Sequence, residues 1–171
     1  VGNKLSPFLN EIIPILTMLM QTIQANQSND LDNELSEACL TTLQSIIHKC
    51  PGELKKFVND LFKVSMKLAE YDPNYIYGDG DDQMEVDEGD EGWGSDFDDD
   101  NQDAEQDDDD TSWKVRRGAY RVIDAIICTR NDMHVDLINS YAVKMTDRFK
   151  ERVDDVKCDL LGAFKTLVNT E

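Results

Sequence analysis

TSWKVRRGAYRVIDAIICT, residues Thr111–Thr129, sets Val115, Ala119, Val122, Ile123, Ile126 and Ile127 at steps of three and four. That spacing gives one apolar helix face, with Thr111 or Asp110 as its cap. At an offset of 41 the face recurs: Val156, Leu160, Phe164, Leu167 and Val168 fall under Val115, Ala119, Ile123, Ile126 and Ile127. At an offset of 80 upstream, Leu35, Cys39, Leu43, Ile46 and Ile47 fall under the same five positions. Between these two stretches, residues 72–111 carry 19 Asp/Glu and no Lys or Arg. Taking out that segment of 40 residues reduces the second offset to 40.

A period of about 40 residues, each repeat a pair of antiparallel helices, predicts an all-α HEAT-repeat solenoid. Any amphipathic helices of a plain bundle superimpose, but they need not share one period with an insertion falling cleanly between pairs. The partner helices fit. Ser6-Pro7 reads as a cap and first turn, followed by Phe8, Leu9, Ile12, Ile13, Leu16, Leu19, Met20 and Ile23, with a kink at Pro14. After a polar loop over 24–33, a second helix runs from about Leu35 to Lys49. Pro51-Gly52 turns into a third, about Glu53 to Glu70, burying Leu54, Phe57, Val58, Leu61, Phe62, Ser65 and Leu68. A fifth, about Met133 to Lys150, buries Leu137, Ile138, Tyr141, Ala142, Met145 and Phe149. The sixth runs from about Asp154 to Asn169. The predicted organisation is therefore HEAT helices over 1–71, a disordered acidic loop over 72–111, and HEAT helices over 112–171. Neither end resembles a polar capping repeat, so a monomeric internal segment of a longer array is expected.

The chain of 171 residues has a formal charge of −19, all of it from the acidic segment: the remainder holds 17 acidic and 17 basic residues. Such a segment, poor in aliphatics, does not bury enough apolar surface to offset its ordering entropy. The charge argues against nucleic acid and anionic membranes as partners and favours basic protein surfaces. No apolar run approaches the ~20 residues of a membrane span. The acidic positions Asp96, Asp98, Asp99, Asp100, Asp107, Asp108, Asp109 and Asp110 make the segment a candidate binding element or an inert solubilising loop. Asn101 stands where an EF-hand needs glycine, so a calcium loop is not expected. Trp93 and Phe97 are read as surface aromatics, and Ser95 sits in a context that acidophilic kinases accept.

Cys39, Cys128 and Cys158 fall among apolar residues and are expected in the core, with Cys50 exposed beside Pro51. No CxxC and no ligand-spaced His supports zinc, and no nucleophile–base set or phosphate loop supports catalysis or a cofactor. The remaining candidates are bases. Lys56, Lys63 and Lys67 share an outward face of the third helix. Lys144 and Arg148 do the same on the fifth, with Lys150 and Arg152 beyond. They are either an acid-binding face or a solvated helix surface.

Three motifs in order carry a resemblance. Ile12-Ile13-Pro14 comes first, then Tyr71-Asp72-Pro73-Asn74-Tyr75 with the acidic tract and Ser112-Trp113-Lys114-Val115-Arg116-Arg117-Gly118-Ala119. Arg148-Phe149-Lys150-Glu151-Arg152 with Val156-Lys157-Cys158-Asp159 closes the series. The series resembles the amino-terminal half of the cullin-associated and neddylation-dissociated protein family. The resemblance implies a non-enzymatic HEAT scaffold that wraps an unneddylated cullin and its RING subunit. It also implies promotion of substrate-receptor exchange on ubiquitin ligases, in cytoplasm and nucleus. Within such arrays the second helix of each pair usually lines the concave face, where the bases above would lie. A karyopherin-type transport receptor and an acidic histone-chaperone-like module are the alternatives.

Overall fold

The computed structural model describes residues 2–26, 30–72 and 111–169. Its helices are α1 (Gly2–Leu5), α2 (Leu9–Asn26), α3 (Asp30–Lys49), α4 (Val58–Ala69), α5 (Ser112–Thr129), α6 (His134–Asp147) and α7 (Asp154–Asn169). Short 3-10 turns lie at Ser6–Phe8 and Asn131–Met133. Among the described residues there is no strand. The acidic segment from 73 to 110, with Ser95, Trp93, Phe97 and the eight aspartates from Asp96 to Asp110 named above, lies outside the described residues.

The helices form two layers. One is the row α3–α5–α7, packed edge to edge; α2, α4 and α6 lie against it. This is the α-solenoid architecture of HEAT repeats, with the first helix of each pair in one layer and the second in the other. The central helix, α5, touches α3, α4 and α7. Its Val115, Ala119, Tyr120, Val122, Ile123, Ala125, Ile126 and Ile127 are all buried. Gly118 costs α5 roughly 1 kcal/mol of helix propensity against alanine. Its position explains it: a Cβ there would lie 3.2 Å from Leu40 Cδ1 of α3.

Several local expectations are corrected. Ser6 does not cap through its side chain; its hydroxyl donates to Glu53 Oε1 at 2.6 Å, tying the start of α2 to the α3–α4 turn. That bond holds the Glu53 carboxyl below its usual range. Thr111 makes no side-chain cap bond either; its hydroxyl accepts from Asn33 Nδ2 at 3.0 Å. The loop over 24–33 is shorter than expected, since α2 reaches Asn26 and α3 starts at Asp30. The α4 helix begins only at Val58, because residues 51–57 form turns after Pro51. Pro14 lies within α2, which continues through it.

Leu35 and Val168 are exposed, because the buried stripes run through Ser36, Cys39 and Leu40 on α3 and end at Leu167 on α7. The cysteine assignment inverts at three of four positions: Cys50 is buried, Cys128 and Cys158 are exposed. Cys50 closes α3, its N–H bonded to Ile46 O, and lies in the core. Cys158 is two residues past Val156, about 200° round a helix, so it points away from the buried stripe. Cys128 falls at the edge of the α5 stripe, beside Asp124.

Replacing Gly118 by valine forces a branched side chain into the α3–α5 contact. Chemical denaturation of G118V is expected to show a loss of about 1–3 kcal/mol by overpacking. An unchanged midpoint would mean that Leu40 yields freely.

Candidate functional site

Arg116 is the least expected residue of the site. It lies one turn into α5, only 2% exposed, on the apolar side of the helix. Its guanidinium meets Glu151 through Nε (3.1 Å) and NH2 (3.3 Å). NH1 donates to Tyr71 O at 3.2 Å and to Ser112 Oγ at 2.9 Å, and lies 3.7 Å from Asp72 Oδ1. One nitrogen thus joins the residues on both sides of the acidic segment. The Glu151 carboxylate also accepts the N–H groups of Arg152 and Val153 at 3.0 and 3.1 Å, just ahead of α7. Asp72 binds Arg152 at 3.3 Å and its side chain is 6% exposed. Asp72 and Thr111, the outermost residues of the acidic stretch, therefore belong to the folded body.

Beneath this cluster lies Tyr120, fully buried. Burial pushes its phenol up to about 12; neighbouring Arg148 offsets part of the shift and Glu151 adds to it. At the other end of α5, Arg130 donates to Pro51 O at 3.0 Å and pairs with Asp132 at 2.6 Å. Arginines at both ends of one helix hold the turns of the neighbouring repeats.

The bases open onto the face of α2, α4 and α6. An open groove of about 820 Å³ is lined by four acids, Glu70, Asp72, Asp147 and Glu151, and four bases, Lys144, Arg148, Lys150 and Arg152, with Thr146. A second, of about 750 Å³, is lined by Pro14, Met18, Phe57, Asp60, Lys63, Lys67, Tyr141 and Lys144, among others. The two share Glu70 and Lys144, so they form one trough. Six of the seven predicted bases line it. Lys56 does not; it lies over the Phe57 ring at 4.9 Å. Tyr141 is clasped between the Phe62 ring at 4.2 Å and Lys144 at 5.5 Å.

Both layers carry ion-paired bases, and both carry lysines with no carboxylate within ion-pair distance among the described residues, Lys114, Lys157 and Lys165 on the α5–α7 surface. On the α5–α7 surface, Arg117 pairs with Asp155 and Asp159, and Arg121 with Asp159, at 2.9–3.0 Å. On the trough side, Lys63, Lys144 and Lys150 have no carboxylate within ion-pair distance among the described residues. No group of His, Cys, Asp and Glu among the described residues is arranged to hold a metal ion, and no described helix is long and apolar enough to cross a membrane.

Sequence reasoning missed Arg116 and Glu151 as a buried pair. The signal was present: Arg116 stands three and four residues before Ala119 and Tyr120, inside the apolar arc.

A helical-repeat scaffold with a polar-rimmed trough is the class these features define. Comparison with known proteins narrows it. The chain is 36% identical over 140 residues to cullin-associated NEDD8-dissociated protein 1 of Drosophila melanogaster, covering 80% of the chain. It is 30% identical over 168 residues to the protein of that name from Arabidopsis thaliana, covering 98%. To cullin-associated NEDD8-dissociated protein 2 of Mus musculus it is 33% identical over 172 residues, again covering 98%. No protein-family model matches. The chain belongs to the cullin-associated NEDD8-dissociated family. It spans 11–13% of the length of these three relatives.

Replacing Arg116 by methionine leaves Glu151 and Asp72 without their buried partner. Urea unfolding of R116M is expected to show a loss of about 3–5 kcal/mol. A loss below about 1 kcal/mol would mean that water reaches the cluster.

Tyr120 gives a pH signature. Its folded pKa lies above the ordinary value of 10. The neutral phenol is therefore favoured in the fold, and its contribution is complete below pH 10. It is lost as pH rises from about 10 to about 12, by roughly 2–3 kcal/mol. Y120F should remove that portion of the alkaline loss; identical pH profiles of stability would contradict it.

Proposed function

We propose that this chain is a non-enzymatic scaffold segment of a cullin-binding exchange factor. In this reading it engages unneddylated cullin bound to its RING subunit and promotes exchange of substrate receptors on ubiquitin ligases, in cytoplasm and nucleus. Nucleic acid and membranes are not its partners. The observation that supports the reading is the open trough on the second-helix face lined by six bases, in a chain whose relatives are named for association with cullins. Lys63, Lys67, Lys144, Arg148, Lys150 and Arg152 are its contact residues.

The mechanism is one of shape and charge. A rigid two-layer stack holds the bases in fixed register along the trough. Exposed cations on such a rim steer an acidic partner and set its orientation more than they add raw affinity. Each exposed pair contributes about 0.2–1 kcal/mol, so the interface must be extended to bind well.

Capture from lysate at physiological salt tests this, with the tagged protein as wild type and as K63E/K144E/K150E. The wild type should retain cullin and its RING subunit and exclude neddylated cullin. The triple variant should bind at least about tenfold more weakly, with a shallower salt dependence. Equal retention by both forms would remove these lysines from the interface. Absence of cullin from the wild-type capture would contradict the functional reading itself.

A further inference from the structure

Many side-chain hydroxyls of this fold bond locally. Those of Thr17, Thr22, Thr42 and Ser45 donate to carbonyls one turn back on their own helices. Ser6 differs. Its hydroxyl crosses to Glu53 Oε1 on the α3–α4 turn, and the bond is exposed. Ser6 is also the chain's one serine or threonine directly followed by proline.

The α3–α4 turn is held from both sides. Toward the next repeat, Arg130 donates to Pro51 O at 3.0 Å and Lys55 pairs with Asp132 at 3.5 Å. Toward the preceding helix, Ser6 meets Glu53 at 2.6 Å. These contacts run from turn to turn along one edge of the stack, from the start of α2 to the α5–α6 turn. The link at the α2 end rests on one hydroxyl proton.

The segment around Ser6 suits a kinase cleft, which takes its substrate extended. Pro7 is exposed, Phe8 is 57% exposed, and Lys4 is exposed two residues before the serine. The elements here are short, four residues of α1 and three of the 3-10 turn, and such lengths have little stability of their own. A residue before proline prefers extended backbone, whereas the 3-10 turn holds Ser6 compact. Opening residues 4–8 leaves the core in place, since its first buried members are Leu9 and Ile13.

We infer that Ser6 is a phosphoacceptor for a proline-directed serine/threonine kinase, and that its phosphate uncouples α2 from the α3–α4 turn. The γ-phosphoryl of ATP passes to Ser6 Oγ. A P–O bond forms there as the bond to ADP breaks, and the hydroxyl proton leaves to a base of the kinase. The product has lost the proton that Glu53 accepted, and it sets a charge of about −2 beside that carboxylate. The N-terminus of α2 favours an anion just ahead of it, and Glu53 repels one. The phosphate therefore stays with α2 while the turn loses its contact. Because α2 supplies Pro14 and Met18 to the trough and α4 supplies Lys63 and Lys67, the modification loosens one wall of the trough against the other. The inference goes beyond the cullin reading and does not depend on it.

The test incubates the 171-residue chain with Mg-ATP and a proline-directed kinase. Tandem mass spectrometry places the phosphate, and amide hydrogen exchange is compared before and after. The wild type should take up phosphate at Ser6, and P7A should do so at least about tenfold more slowly. S6A should gain none at this position. Phosphorylation should speed exchange at residues 52–57 by at least about threefold. E53Q keeps an acceptor for the hydroxyl, removes the opposing charge and offers the phosphate an amide donor, so its increase should be smaller. Absence of phosphate at Ser6 in the folded chain, with a peptide of residues 1–14 modified as the kinase control, would overturn the site. Phosphate at Ser6 with unchanged exchange at 52–57, or with an equal increase in E53Q, would overturn the uncoupling.

Discussion

One buried guanidinium holds together the part of the molecule where the sequence is most discontinuous. Arg116 gathers the end of α4, the start of α5 and the α6–α7 turn onto a single planar group. The pair with Glu151 carries a desolvation penalty of several kcal/mol per ion. Good geometry and further hydrogen bonds offset it. Here those bonds are present, from Ser112, from Tyr71 and from the backbone of residues 152 and 153. An apolar substitute of the same volume would pack, but it would leave the Glu151 carboxylate buried and the Tyr71 carbonyl without this donor. The same clamp explains how the fold tolerates the acidic stretch. Because Tyr71 and Ser112 meet one nitrogen, the chain departs and returns at one point. Lengthening such a connection from about 4 to about 40 residues adds only about 2 kcal/mol of closure entropy.

The clamp also sets the geometry of the trough. By tying the α6–α7 turn to the end of α4, it fixes Lys144, Lys150 and Arg152 relative to Lys63 and Lys67 across two repeats. On the other surface, ion pairs between α5 and α7 engage Arg117 and Arg121. Lys63, Lys144 and Lys150 lie on the side of the second helices, the side that forms the concave surface in helical-repeat arrays. Weak contacts of this kind depend on many positions in register, and register is what the stacked α3–α5–α7 row supplies.

The 40-residue period was legible because α3, α5 and α7 carry nearly the same buried stripe; Val115 and Val156, or Ala119 and Leu160, occupy equivalent places in the core. The bases were legible as a set because their spacing on α4 and α6 puts them on one outward face. What could not be read was how neighbouring elements rotate each stripe. Leu35 and Val168 obey the period yet stay exposed, since no described helix covers that side. Cys50 looked exposed next to Pro51, but the turn after it folds the α3 end into the core. Arg116 and Glu151 are 35 residues apart in sequence, and no local pattern announces that an arginine in an apolar arc will meet one particular carboxylate. The trough itself also arises only from helices brought side by side.

Cross-linking mass spectrometry of the protein with an unneddylated cullin–RING core, using an amine-to-carboxylate reagent of short reach, addresses the central claim directly. Lys63, Lys144 and Lys150 should link to cullin carboxylates, while the α5–α7 surface, represented by Lys157 and Lys165, should not. Links concentrated on Lys157 and Lys165, with Lys63, Lys144 and Lys150 unreacted toward cullin, would place the partner on the opposite face and contradict it.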